Sequence, residues 1–208
     1  MARIWTIVVA AGSGSRFGQP KQYASLAGRR VLDHSIAAAR STSDGIVLVV
    51  PLDRIGDTEP TVDAVVAGGD TRSESVRNGL QAVPDDADII AVHDAARPLA
   101  DDDLFRVMVD AVRAGADAAV PAVPVVDTIR HVDGGIVDRS DLVAVQTPQT
   151  FGARALRSAH RAGGHATDDA SLVEADGGKV VLVPGTAANL KITQPHDLVV
   201  AEALLAAR

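Results

Sequence analysis

Cysteine is absent from the 208 residues, so disulfides and thiolate chemistry are excluded and the usual zinc ligand is missing. Aromatic residues make up only 2% of the chain, so a core has to be assembled from Val, Ile, Leu and Ala. Small β-branched runs suit strands covered on both faces, as in a parallel sheet between helical layers. No apolar run approaches the roughly 20 residues of a membrane span. The candidate at the start, Ile4–Ala11, is broken by Thr6 and runs into a glycine loop, which argues against a signal segment and for a cytoplasmic protein. Positive charge is also short: 20 Lys and Arg stand against 27 Asp and Glu, a net charge of −7. That excludes generic nucleic-acid binding, yet a nucleotide ligand needs only a few local cations.

The chain is 47% hydrophobic, enough at this length for a sizeable core and for one domain over residues 1–208. Short apolar runs bounded by Gly, Pro or Asp recur with helical spacing between them. Strands are expected at Ile4–Val9, Ile46–Val50, Ala64–Ala67, Asp88–Val92, Ala118–Val123 and Lys179–Val183. Helices are expected at Val31–Arg40, Arg72–Ala82, Asp101 to about Gly115, Ala153–Ala162, Asp168–Ala175 and Pro195–Ala207. The alternation predicts a three-layer, Rossmann-like doubly wound α/β fold with a mainly parallel sheet. Residues 124–148 break the pattern. Extended runs flank Asp133-Gly134-Gly135, which predicts a protruding β-hairpin, an edge flap or a dimerisation arm. Its apolar Val125, Val126, Ile129 and Val132 would be poorly covered in a monomer, so a homodimer through the arm is expected.

Three segments carry candidate chemistry. Ala10-Ala11-Gly12-Ser13-Gly14-Ser15-Arg16-Phe17-Gly18 follows the first strand and leads to Lys21. Small residues at the carboxyl end of a buried strand let backbone N–H groups approach phosphate oxygens. Arg16 can grip such oxygens bidentately and Lys21 can act as a point charge. The spacing is neither a Walker A loop nor a dinucleotide fingerprint. The alternative is a tight turn with exposed cations. Gly69, Asp70 and Ser75 lie where a loop enters a helix, a place suited to an anion or a base edge, or simply an ordinary capped helix. Asp94 ends a buried strand, where a carboxylate can ligate magnesium or hold hydroxyls. Arg97 could reach a phosphate, or close the turn as a structural partner of Asp94.

The first of these segments, continuing through Pro20-Lys21-Gln22-Tyr23, resembles the signature loop of nucleotidyltransferases that activate sugars and polyols, in the form of the methylerythritol-phosphate cytidylyltransferase branch. Further blocks resemble that branch in the same order: Gly68 to Leu80, His93-Asp94-Ala95-Ala96-Arg97-Pro98, Thr147-Pro148-Gln149, Thr167-Asp168-Asp169-Ala170-Ser171 and Asn189-Leu190-Lys191-Ile192-Thr193. The resemblance implies transfer of CMP from CTP to 2-C-methyl-D-erythritol 4-phosphate, with Mg²⁺ as cofactor and no nucleic-acid or membrane partner. It implies that Arg16 and Lys21 stabilise the transition state, and that Ala10, Ala11, Gly12, Gly14, Gly69, Asp70 and Ser75 bind CTP. Asp94, Arg97, Arg154 and Lys191 would position substrate, with Asp94 a candidate metal ligand and Arg154 serving the partner's site. His93 is expected to be structural. Ile136 stands where many members have threonine. Two rival readings are a cytidylyltransferase for another polyol phosphate, such as ribitol 5-phosphate, and a nucleotide-binding protein without catalysis.

Overall fold

The computed structural model describes residues 2–12, 14, 17–162, 164 and 166–208. The chain opens on β1 (Ile4–Val9), followed by a short hairpin of β2 (Ser25–Leu26) and β3 (Arg29–Arg30). Positive φ angles at Ala27 and Gly28 close that hairpin. Next come α1 (Val31–Arg40), β4 (Gly45–Val50), β5 (Ala64–Ala67), α2 (Arg72–Ala82) and β6 (Ile89–Asp94). Helix α3 (Asp102–Arg113) and β7 (Ala118–Pro124) precede the excursion, which contains β8 (Ile129–Arg130), β9 (Ile136–Val137) and β10 (Val143–Val145). The chain ends with β11 (Gln149–Gly152), α4 (Ala153–Ala162), α5 (Asp169–Ala175), β12 (Val180–Pro184) and α6 (His196–Ala206).

The main sheet runs β10-β7-β11-β6-β1-β4-β5, with β12 on the other side of β7. Pairs β1–β4, β1–β6, β4–β5 and β12–β7 are parallel. Alternation along the central strands divides the core between two faces, because successive side chains point to opposite sides. Ile7, Val47, Val49 and Val92 pack with Val76, Leu80, Leu156 and Val173 of α2, α4 and α5. Val8, Ile46, Leu48 and Val50 pack instead with Leu32, Ile36, Leu104 and Phe105 of α1 and α3. Each such side chain contributes about 1.5–3 kcal/mol on burial. The fold is therefore the three-layer α/β sandwich that the pattern predicts.

Caps set the helix starts that matter for the site. Thr71 accepts the Glu74 N–H while Glu74 accepts the Thr71 N–H, a reciprocal capping box at α2. Asp101 and Asp168 accept the N–H groups of Leu104 and Ser171 at the starts of α3 and α5.

Two features differ from the sequence expectation. Gln149–Gly152 is a strand, β11, antiparallel to both of its neighbours β6 and β7. Four residues directly before a helix carry too little periodicity to show it. The excursion is also less of a free hairpin than residues 124–148 suggest. The Asp133-Gly134-Gly135 turn is present, but β8 and β9 pair over two residues each. Its last part returns to the sheet, with β10 pairing antiparallel to the end of β7, and Gln146 and Thr147 are buried.

Candidate active site

Strands β1 and β6 lie side by side at the centre of the sheet, and their connections leave in opposite directions. Open α/β sheets bind ligands at the carboxyl ends of such strands. A cavity of about 450 Å³ lies there, lined by Ala10 to Gly12, Lys21, Gln22, Gly69 to Arg72, Ser75, Asp94 and Lys191 among others. Its walls come from four parts of the chain.

The first wall is the loop after β1. The Ala10 N–H donates to the Val49 carbonyl, carrying the strand one residue further. Buried Gln22, on a single 3-10 turn at Lys21–Tyr23, donates through Nε2 to the carbonyls of Ala10 (2.6 Å) and Gly12 (3.0 Å). Those two bonds hold the Ala10 to Gly12 stretch from behind, along the cavity wall. Gly14 has φ +68°, and a Cβ there would lie 2.1 Å from the Gln19 carbonyl oxygen, so only glycine fits. Arg16 lies outside the described residues.

The second wall enters α2. Gly68 packs so closely that a Cβ would sit 2.3 Å from the Ala11 Cβ, which brings the two loops together. The Ser75 hydroxyl donates to the Thr71 carbonyl and accepts the Gly69 N–H at 3.1 Å. That crosslink shapes the turn around Gly69 and Asp70.

Asp94 and Lys191 complete the site. Lys191 Nζ lies 2.6 Å from Asp94 Oδ2, and Arg72 Nε lies 3.5 Å from Oδ1. Burial alone would raise the Asp94 pKa, but Arg72 and Lys191 outweigh it and hold the carboxyl well below its usual range. Two carboxylates act on Arg72 in turn: burial disfavours its charge, and Asp169 and Asp94 more than restore it. Lys191 is carried by a loop anchored through buried Asn189, whose Nδ2 donates to Gln146 Oε1 and to the Thr147 carbonyl. The Ile192 N–H donates to the Ala96 carbonyl.

His93 stands behind Asp94, fully buried and edge-on to Phe105. One neutral tautomer satisfies every contact: Nε2–H donates to the Arg97 carbonyl, and Nδ1 accepts the Thr147 hydroxyl at 3.1 Å. The Thr147 oxygen in turn accepts the Asp94 N–H at 3.0 Å. Burial pushes the imidazole pKa down to about 4, so the ring is a neutral spacer.

Cations on two loops, a permanently ionised carboxylate and strand-end amides around a nucleotide-sized cavity match one chemistry, phosphoryl-group binding. Residues 4–207 match the sequence profile of the 2-C-methyl-D-erythritol 4-phosphate cytidylyltransferase family. The chain belongs to this family. It is 43% identical over its whole length to the enzyme of that name from Streptomyces coelicolor, covering 86% of that protein. It is 44% identical to the Rubrobacter xylanophilus counterpart, across 97% of this chain and 94% of the other. Among solved structures, the Thermus thermophilus enzyme of the same name superposes with a TM-score of 0.82 at 36% identity, covering 96% and 98% of the two chains. The chain is thus a nucleotidyltransferase of the cytidylyltransferase class.

For a member of this family the cavity gathers most of the expected residues: Ala10, Ala11, Gly12, Lys21, Gly69, Asp70, Ser75, Asp94 and Lys191. One expectation needs correction. Arg97 is not in the cavity wall, nor does it pair with the Asp94 carboxylate. Its guanidinium donates to the carbonyls of Asn189 (2.7 Å) and Val145 (3.3 Å), tying the Lys191 loop to β10. Arg154 is exposed on α4. Strand β11 runs antiparallel to β6 with Gly152 opposite Ile89, so α4 starts at the end of the sheet away from Asp94. That separation is five residues, roughly 16 Å along an extended strand. Within one chain, Arg154 does not reach the cavity. Sequence reasoning also missed Gln22, Arg72 and Thr147. Each sits inside a recognised block, but only the fold shows which way it is engaged.

Proposed function

We propose that this chain transfers CMP from CTP to 2-C-methyl-D-erythritol 4-phosphate, giving 4-diphosphocytidyl-2-C-methyl-D-erythritol and pyrophosphate, a step in non-mevalonate isoprenoid synthesis. The observation that carries the reading is one cavity at the carboxyl ends of the central strands whose wall holds Lys21, Arg72, Asp94 and Lys191, with Arg72 and Lys191 paired to Asp94, in a chain of this family. An oxygen of the acceptor phosphate attacks the α-phosphorus of CTP in line. The bond from that phosphorus to the β-phosphate bridge breaks, and pyrophosphate leaves with the bonding electrons. A phosphate monoester is already mostly doubly ionised near pH 7, so no general base is required. Charge neutralisation and alignment remain the protein's task. Lys21, with Arg16 from the same loop, stabilises the charge gathering on the α-phosphate and leaving group. Lys191 holds the acceptor phosphate, exchanging the Asp94 carboxylate for it. Gly69, Asp70 and Ser75 face the base, and Ala10, Ala11, Gly12 and Gly14 border the triphosphate.

A magnesium ion fits this donor set in a limited way. Among the described residues no three carboxylate or imidazole groups cluster, so an all-protein cage is absent there. Mg²⁺ commonly takes one or two carboxylates together with substrate phosphates and waters. Asp94, ionised and in the cavity wall, is suited to be that single protein ligand. When bound, the ion would offset triphosphate charge.

The single domain works in our reading as a homodimer, supported by the exposed Val126, Val132 and Ile136 of the excursion. A substrate contact from Arg154 would then have to cross the two-fold axis. As a consumer of CTP, the protein is assigned to the cytoplasm. Pyrophosphate release with each of the four nucleoside triphosphates and a panel of polyol phosphates tests the assignment. Turnover should be greatest with CTP and methylerythritol phosphate and should stop in EDTA. Equal rates with UTP would remove base reading from the Gly69–Ser75 segment. A preference for ribitol 5-phosphate would reassign the acceptor.

A further inference from the structure

Behind the cavity lies a second carboxylate that the reaction as described does not use. Asp169, at the start of α5, is fully buried, and both of its oxygens are engaged by charged or ionisable partners. Oδ2 lies 2.6 Å from Arg72 Nη1, and Oδ1 lies 3.0 Å from Nε2 of buried His160 in the last turn of α4. Arg72 then meets Asp94 on its cavity side, and Asp94 meets Lys191. An unbroken line of five polar groups thus runs from the helical layer into the site.

A structural clamp between α5 and α2 would be the simplest account of the buried pair, but two observations go against it. The start of α5 is already tied down without Asp169. Asp168 caps it and accepts Gln149 Nε2 at 3.0 Å, while the Ala170 N–H donates to Gln149 Oε1. The position of Arg72 is also costly on its own terms. It is the first residue of α2, where the helix dipole is positive and disfavours a cation. A buried ion pair is in general weak support for stability. What the arrangement does achieve is a guanidinium held at one edge, beside Thr71 and Ser75 in the cavity wall. Its Nη2 makes no hydrogen bond among the described residues, which leaves donors for a ligand.

The geometry points to Asp169 as a positioning residue, braced by His160, that acts through Arg72 to bind the CTP anion. Arg72 is the group that touches the nucleotide, and Asp169 fixes its guanidinium through Nη1 while Asp94 takes Nε, so that Nη2 is presented to the ligand. This assignment rests on the CTP reading above.

Steady-state kinetics and calorimetric CTP binding on Asp169→Asn, Arg72→Gln and the double variant test it. Asp169→Asn keeps size and a hydrogen-bond acceptor but removes the charge. Its KM and Kd for CTP should rise by about tenfold, while kcat at saturating CTP and KM for the acceptor stay within about threefold. Arg72→Gln should show at least the same rise, and the double variant should be no worse than Arg72→Gln, because Asp169 acts only through Arg72. A clamp predicts a lower melting temperature with unchanged KM, and that result would overturn the proposal, as would additive losses in the double variant. Should Asp169→Asn fail to fold, Arg72→Gln decides alone: wild-type affinity for CTP there refutes it. Wild-type protein that neither binds nor turns over CTP would instead refute the underlying reading.

Discussion

His93 should make the fold sensitive to mild acid, by an amount the structure sets. The ring is fully buried between Phe105, Thr147 and the Arg97 carbonyl, and its pKa is pushed down to about 4 from 6.5. The unfolded chain therefore binds a proton near pH 6.5 that the folded chain refuses until about pH 4. Stability contributed this way is full above pH 6.5 and is lost as pH falls through that window. At pH 5, 1.5 pH units below the unfolded value, the loss is about 2 kcal/mol at ~1.4 kcal/mol per unit. Urea unfolding at pH 8 and pH 5 measures it in the wild type and in His93→Gln. The variant will be less stable at both values, but its own drop should be smaller by about 2 kcal/mol. NMR titration of the His93 ring gives an independent reading, with no change in protonation expected down to pH 5. A ring that titrates near 6.5, or equal drops in the two proteins, would refute the reasoning.

Three further outcomes are expected. Lys21→Ala should lower kcat by at least ~10²-fold with a smaller change in KM for CTP, as removing a transition-state donor does; a raised KM with unchanged kcat would make it a ground-state contact. Lys191→Ala should raise KM for the acceptor more than KM for CTP, and an effect confined to CTP would contradict its placement. Inactive Lys21→Ala and Arg154→Ala chains, mixed with verified subunit exchange, should recover about a quarter of full activity if Arg154 acts across a dimer. Full activity of Arg154→Ala by itself would remove that residue from the site altogether.

Much of the architecture was legible because it rests on local rules. The α1 and α2 spans, β5 and the start of α4 follow directly from apolar spacing, and the Thr71–Glu74 pair announces its capping box three residues apart. Strand β11 was not legible, since four residues pressed between β6 and β7 owe their conformation to neighbours distant in sequence. The site divides the same way. Loop residues such as Gly14 and Gly68 declare themselves by the lack of a side chain, whereas the partners of Arg72 and Arg97 depend on which loops meet in space. The sequence leaves Arg97 able to reach a phosphate or to pair with Asp94, and the turn directs it towards backbone carbonyls instead. Sequence distance gave no hint that Asp169 and Arg72, 97 positions apart, would meet.

The pairing of Pro124 with Val143 has a consequence for how such a protein can change. Everything between those two residues is a detour whose ends are already fastened to each other across neighbouring strands, and none of it lines the cavity. Loop-closure entropy varies only slowly with length, so the detour can lengthen, shorten or be replaced by a tight turn at small cost to the sheet. A lineage can therefore vary this detour while the cavity-lining residues stay untouched, and a designer can graft a different arm at the same two positions.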